Sequence, residues 1–219
     1  ILYLKPNIHI AVVEAKDNNH SLGAGMQQAL DYAAIIDVPI AISSNGDGFI
    51  VHDRSGSSAQ VETTFSLDAF PSPDTLWDIY KKYKGISDSK QEAIITQDYH
   101  FDGSGRAPHY YQQIAINRTM EAIAKGQNRV LIVMATGTGK TYTAFQIIHR
   151  LWKSGTKKRI LFLADRNALI DQTKRNDFKH FKGKMTTIRK HNVDKAFEIY
   201  LALYQGLTNY NEDKDAYRE

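Results

Sequence analysis

The heptapeptide ATGTGKT at residues 135–141 constrains this chain more than any other feature. It follows the apolar run RVLIVMA at 129–135 and opens into KTYTAFQIIHRLWKSG at 140–155, a stretch of helical composition. A buried strand, a glycine turn and a helix in that order form a phosphate-binding loop. Gly137 and Gly139 let backbone N–H groups turn inward where a Cβ would obstruct them. The helix N-terminus adds about half a positive charge. Lys140 can reach the β- and γ-phosphates, the Thr141 hydroxyl can ligate Mg²⁺, and Thr136 and Thr138 complete the cradle. Met134 stands where the GxxxxGK[ST] pattern has its first glycine. The expectation is ATP bound with Mg²⁺.

The surroundings predict an α/β fold. After a helix at 110–126 come the strand at 129–135, the loop, the helix at 140–155, a strand at 159–165 and a helix at 167–178, an alternation that favours a parallel sheet with right-handed crossovers. The first section reads as strands at 8–16, 40–44, 49–53 and 61–65, with helices at 24–36 and 75–83. The tetrad NGDG at 45–48 is a strong hairpin signal. A polar stretch at 84–92 reads as a connector, placing a boundary at 85–89 and giving domains 1–87 and 88–219. Ile1, rather than Met, opens an apparent strand, which suggests a piece of a longer protein.

Charge is uneven. Residues 1–87 carry 6 Lys/Arg against 10 Asp/Glu, a net −4, whereas 129–195 carry 16 Lys/Arg against 4 Asp, a net +12. A concentrated positive field favours a polyanionic partner through counterion release. There are no cysteines, so disulfides and thiolate zinc sites are excluded and a cytosolic compartment is favoured. Apolar runs fall short of the roughly 18 residues of a membrane span.

The strand at 8–16 ends in Glu14-Ala15-Lys16. With period-two geometry, Ile8, Ile10, Val12, Glu14 and Lys16 share a face, so a carboxylate and an ammonium stand together where the strand leaves the core. The carboxylate can ligate Mg²⁺, and the lysine can stabilise charge on an attacked phosphate or position the attacking water. Gln28 and Tyr32, at i and i+4 on the following helix, share a face. The Glu-x-Lys strand resembles the PD-(D/E)xK nuclease core, and with Q-x-x-x-Y behind it resembles the nuclease domain of type I restriction motor subunits. That pattern includes an Asp on a preceding strand, yet no Asp or Glu occurs at 1–13.

Other stretches resemble motifs of superfamily 2 helicase-like motors, among which ATGTGKT is a common loop variant. Tyr111-Gln112 resembles the adenine-reading glutamine patch, although Tyr110 and His109 stand where the family usually has an Arg. FLADRNALIDQT at 162–173 presents Arg166 beside a helix start, and IYLALYQGL at 199–207 presents Tyr204 and Gln205; in the family both edges lie near the nucleic-acid backbone. The family's Asp-Glu pair does not follow: the chain reads TNYNEDKDAYRE at 208–219. Binding without efficient hydrolysis is therefore expected of this segment, read as an incomplete motor.

Taken in order, these features resemble the restriction (R) subunit of type I restriction-modification enzymes over nearly the whole length. The resemblance implies a nuclease-like domain before a RecA-like P-loop lobe. It implies ATP-driven translocation of double-stranded DNA with Mg²⁺-dependent cleavage. It also implies methyltransferase (M) and specificity (S) subunits as partners, in a prokaryotic cytoplasm with no membrane. The alternatives are another superfamily 2 motor, such as a DNA-repair or type III restriction enzyme with a non-cleaving first module, or a nucleotide-responsive docking module. The eight histidines are scattered without metal spacing, KKYKG at 81–85 reads as an exposed helix end, and Trp77 and Trp152 read as packing residues.

Overall fold

The structure, a computed structural model, describes residues 1–56, 58–188 and 193–205. By packing it forms two compact units, 1–132 and 133–219.

The first unit is built on a five-stranded sheet: β1 (Leu2–Lys5), β2 (Ile8–Ala15), β3 (Ile40–Ser44), β4 (Gly48–Asp53) and β5 (Glu62–Ser66), in that order. Only the β2–β3 pair is parallel, and helix α1 (Met26–Ile36) joins its strands. The NGDG tetrad makes the expected β3–β4 turn, with Gly46 at φ 94°. Strand alternation divides the core between two faces. Ala41 packs with Val12 and Val38 beneath Met26, Ala29 and Ala33 of α1, whereas Ile40 and Ile42 pack with Leu76, Trp77 and Tyr80 of α2 (Pro73–Lys84). Ser72 caps α2 by accepting from Thr75 N at 3.2 Å, Pro73 presets the first turn, and Gly85 ends the helix at φ 64°. Such a cap contributes about 1 kcal/mol.

The connector expected at 84–92 is partly helical. Asp88 accepts from Lys90 N and Gln91 N, both at 2.8 Å, and starts α3 (Ser89–Thr96), a short helix whose polar composition concealed it. Helix α3 packs on α4 (Tyr110–Ala124), and α4 is tied to the sheet by Asn117 Nδ2 donating to Asn7 O at 2.8 Å. The packed unit therefore continues beyond residue 87.

The second unit contains α5 (Lys140–Lys153), β6 (Ile160–Ala164), α6 (Asn167–Arg175), β7 (Met185–Thr187) and β8 (Ile199–Leu203). Its strands form a parallel sheet in the order β6-β8-β7. Phe145 of α5 meets Phe178 and Phe181 from a 3₁₀ turn at Asp177–Phe181, and this aromatic cluster covers Ile199 and Leu201.

One expected strand requires correction. Residues 129–135 form no strand, and Leu131 and Val133 are 88% and 86% exposed. Apolar β-forming residues make a strand only when a neighbour takes up their backbone hydrogen bonds. No described strand pairs with this segment.

Candidate nuclease and nucleotide sites

At the end of β2 the four residues singled out from Glu-x-Lys and Q-x-x-x-Y come together. Lys16 Nζ donates to Glu14 Oε1 at 2.8 Å and to Gln28 Oε1 at 3.1 Å. Gln28 Nε2 in turn donates to Tyr32 OH at 3.1 Å. Lys16 lies one residue past β2, yet its N–H donates to Ser44 O at 2.8 Å, so the parallel pairing holds its backbone. The Glu14 and Lys16 side chains are 18% and 30% exposed: sheltered, but within reach of a ligand.

The arrangement depends on two residues not singled out from sequence. Gly25, the N-cap of α1, donates its N–H to Ser43 Oγ at 3.1 Å. Ser43 is fully buried and lies beside Glu14 in the β2–β3 register. A Cβ at position 25 would stand 2.7 Å from Glu14 Cγ. The available signal was Gly-Ala-Gly at 23–25, directly before a helix that must approach the Glu-x-Lys strand.

Glu14 suits Mg²⁺, which accepts one or two carboxylates and keeps several waters. Among the described residues, no three His, Cys, Asp or Glu side chains gather in metal-binding geometry, so no complete carboxylate or imidazole ligand set surrounds Glu14 there. His20 pairs with Asp17 at 2.9 Å, and His9 is buried, which holds its pKa below the ordinary value.

In the second unit, Gly137 and Gly139 take φ 81° and 82°. Nothing would lie within 4 Å of a Cβ at Gly137, so its left-handed backbone, not crowding, calls for glycine there. Thr138 Oγ1 donates to Ala135 O at 2.7 Å and closes the loop. Lys140 Nζ donates to Ala135 O at 3.0 Å and Met134 O at 3.3 Å, so the ammonium lies across the loop. Thr136 is exposed, and half-buried Thr141 stands in the first turn of α5. Arg166 follows β6 as the N-cap of α6, its side chain 79% exposed. Exposed Tyr204 and Gln205 follow β8, the parallel neighbour of β6. The two edges predicted to touch nucleic acid thus emerge at the same end of adjacent strands, where α/β sheets bind ligands. At the opposite end, Lys153, Lys158, Arg159 and Lys195 line a shallow concavity with Glu198. The Glu198 carboxyl is held below its ordinary pKa by hydrogen bonds from Lys184 and then Trp152.

In the first unit, Gln112 is 3% exposed, and its Oε1 accepts from His109 N at 2.9 Å, capping α4. The Asp and Glu residues of 208–219 lie outside the described residues.

The family profile described as "Type III restriction enzyme, res subunit" matches residues 106–219. Over its whole length the chain is 56% identical to the type I restriction enzyme EcoAI endonuclease subunit of Escherichia coli. The chain belongs to the type I restriction endonuclease-subunit family. It spans 27% of that relative. It is also 52% identical over 63 residues to the EcoKI endonuclease subunit of E. coli K12, covering 29% of this chain and 5% of that one. A fragment structure described as an HsdR subunit of a type I restriction enzyme from Vibrio vulnificus superposes with a TM-score of 0.76 at 39% identity, covering 94% of this chain and 36% of that one. A nuclease-like α/β domain followed by a RecA-like P-loop lobe is the arrangement of this family member.

Proposed function

We propose that this chain is the part of a type I restriction motor subunit in which a Mg²⁺-dependent DNA nuclease site (domain 1–87) precedes, along the chain, an ATP-binding lobe (domain 88–219) that drives translocation of duplex DNA. The observation that carries the nuclease reading is the hydrogen-bonded line Glu14–Lys16–Gln28–Tyr32, in which two separately chosen sequence patterns meet. Glu14 supplies a carboxylate oxygen to the metal, and Lys16 stabilises negative charge on the attacked phosphate. Gln28, backed by Tyr32, holds the lysine in place. Mg²⁺ bound there supplies Lewis acidity and a more acidic water.

In the motor lobe, Gly137 and Gly139 with Thr136 and Thr138 cradle the phosphates. Lys140 exchanges its loop carbonyls for β- and γ-phosphate oxygens, Thr141 ligates the nucleotide Mg²⁺, and Gln112 reads adenine. Arg166, Tyr204 and Gln205 line the DNA backbone track. The chain's partners in this reading are methyltransferase and specificity subunits in a prokaryotic cytoplasm, supported by relatives named as endonuclease subunits of type I restriction enzymes of E. coli; no described helix is long and apolar enough to cross a membrane.

In the full-length protein, Glu14→Ala abolishes cleavage while DNA-stimulated ATP turnover persists, and Lys140→Ala abolishes turnover and translocation. Cutting that survives Glu14→Ala sinks the nuclease assignment. It would then favour a type III-like motor with a non-cleaving first module, a reading that rests on the profile description over 106–219. DNA tracking unchanged by Lys140→Ala would point to passive docking.

A further inference from the structure

We propose that Gly25 and Ser43 are a positioning pair for Glu14, keeping clear the space its side chain occupies; the inference rests on the nuclease reading above. Gly25 has φ −91° and ψ −4°, an ordinary right-handed conformation open to any residue. Backbone freedom therefore does not explain glycine here, and at an N-cap that makes no side-chain cap bond Ser, Asn or Asp would serve the helix better. Space explains it. A Cβ at 25 would lie 2.7 Å from Glu14 Cγ, 3.2 Å from Glu14 Cβ and 3.2 Å from Ser43 Oγ. The Glu14 atoms met are the base of the side chain, anchored to a buried strand, so they cannot swing aside like a flexible tip.

The start of α1 cannot yield freely either. Its first N–H is fastened to Ser43 Oγ at 3.1 Å, and Ser43 is fully buried beside Glu14 in register. A methyl group at 25 must rotate the Glu14 carboxylate or push α1 outward. The first movement disturbs the 2.8 Å contact with Lys16, and the second disturbs the 3.1 Å contact between Lys16 and Gln28. Gly25 is thus the point where the helix carrying Gln28 and Tyr32 is allowed close to the strand carrying Glu14. Neither Gly25 nor Ser43 needs to touch DNA or metal.

The test uses full-length protein with Gly25→Ala, Ser43→Ala and Glu14→Ala. Cleavage is titrated with Mg²⁺, and Mn²⁺ retention without nucleotide is followed by electron paramagnetic resonance of the free ion. DNA-stimulated ATP turnover reports folding. Loss of an outer partner of a metal ligand typically costs roughly 10- to 100-fold in affinity or activity, so Gly25→Ala raises the Mg²⁺ midpoint by that order and weakens Mn²⁺ retention, with ATP turnover unchanged. Ser43→Ala shifts both in the same direction by less. A Gly25→Ala midpoint equal to wild type overturns the inference, as does cleavage that falls with ATP turnover at an unmoved midpoint. If Gly25→Ala does not fold, Ser43→Ala decides by the same midpoints. Normal cutting by Glu14→Ala would remove the nuclease reading itself, whereas an inert Glu14→Ala beside a normal Gly25→Ala removes only the positioning role.

Discussion

Lys84 Nζ lies 2.7 Å from Asp37 Oδ2, joining the end of α2 to the residue that terminates α1. Lys84 is 5% exposed and also donates to Glu121 Oε2 of α4 at 3.1 Å. Tyr83 OH donates to the other Asp37 oxygen, and Tyr80 OH to Glu121 Oε1. Asp37 holds φ 59°, the one non-glycine positive φ among the described residues. One ammonium thus holds three helices of the first unit together.

Removing that ammonium leaves Glu121 without its Lys84 partner and Asp37 with only the more distant Arg118, whose Nε lies 3.9 Å from Oδ2. Lys84→Met is expected to destabilise the first unit by about 3 kcal/mol, the scale for breaking a buried pair from one side, discounted for the partial exposure of Asp37. Denaturant unfolding of the full-length protein measures it. Wild-type stability sinks the expectation. The pH response has a definite sign. Burial pushes the Asp37 carboxyl up, but Lys84 and Tyr83 more than offset this, leaving it below the ordinary 3.8. The contribution is therefore complete above the unfolded value and disappears as pH falls through the depressed folded one, in the acid range below about 4.

Sequence periodicity revealed the α/β class because β2, β3 and α1 are short segments with clear local patterns. It also revealed both halves of the hydrogen-bonded line Glu14–Lys16–Gln28–Tyr32, since Glu-x-Lys and Q-x-x-x-Y each place their residues on one face. The Lys84 network was not legible: KKYKG reads as a charged helix end, and only the approach of α1 and α4, distant in sequence, turns Lys84 inward. Gly25 was hidden for a related reason, because its clearance from Glu14 is a tertiary fact. The run 129–135 failed in the opposite sense. Its composition marks a strand, but composition does not supply a neighbour, and the pairing is absent among the described residues.

Within the nuclease line, effects should fall with distance from Glu14. Gln28→Ala removes one of the two acceptors that hold Lys16, so single-turnover cleavage is expected to drop roughly tenfold. Tyr32→Phe deletes a hydroxyl that reaches Lys16 only through Gln28 and should cost less. The reverse order would mean that Tyr32, 45% exposed, contacts DNA itself.

Two glycines separate the causes of glycine use. At Gly137 the backbone is left-handed and the space around a Cβ is open, so alanine strains the loop by about 1–2 kcal/mol. The exposed loop escapes that strain by leaving the left-handed turn, which ATP binding must restore, so ATP affinity is expected to fall about tenfold while the melting temperature of the nucleotide-free protein is little changed. At Gly48 a Cβ would stand 2.8 Å from Phe65 O, so alanine pushes β5 off β4 and lowers the melting temperature while ATP affinity holds. Calorimetry with and without nucleotide checks both, and a shared response would refute the distinction.

Gln112 carries two candidate duties, and chemistry can separate them. Capping α4 uses only its Oε1 as an acceptor for His109 N, whereas reading the adenine edge also uses the amide N–H₂ as a donor. Gln112→Glu keeps the acceptor, and a glutamate in the first turn of a helix is favourable. Burying a carboxylate at this 3%-exposed position costs stability even with the cap kept, so the discriminating readout is nucleotide choice, and Gln112→Glu should erase the preference for ATP over GTP. Gln112→Ala removes both functions and should add a stability loss of about 1 kcal/mol. If Gln112→Glu still selects ATP, the residue is a helix cap alone, and adenine is read elsewhere.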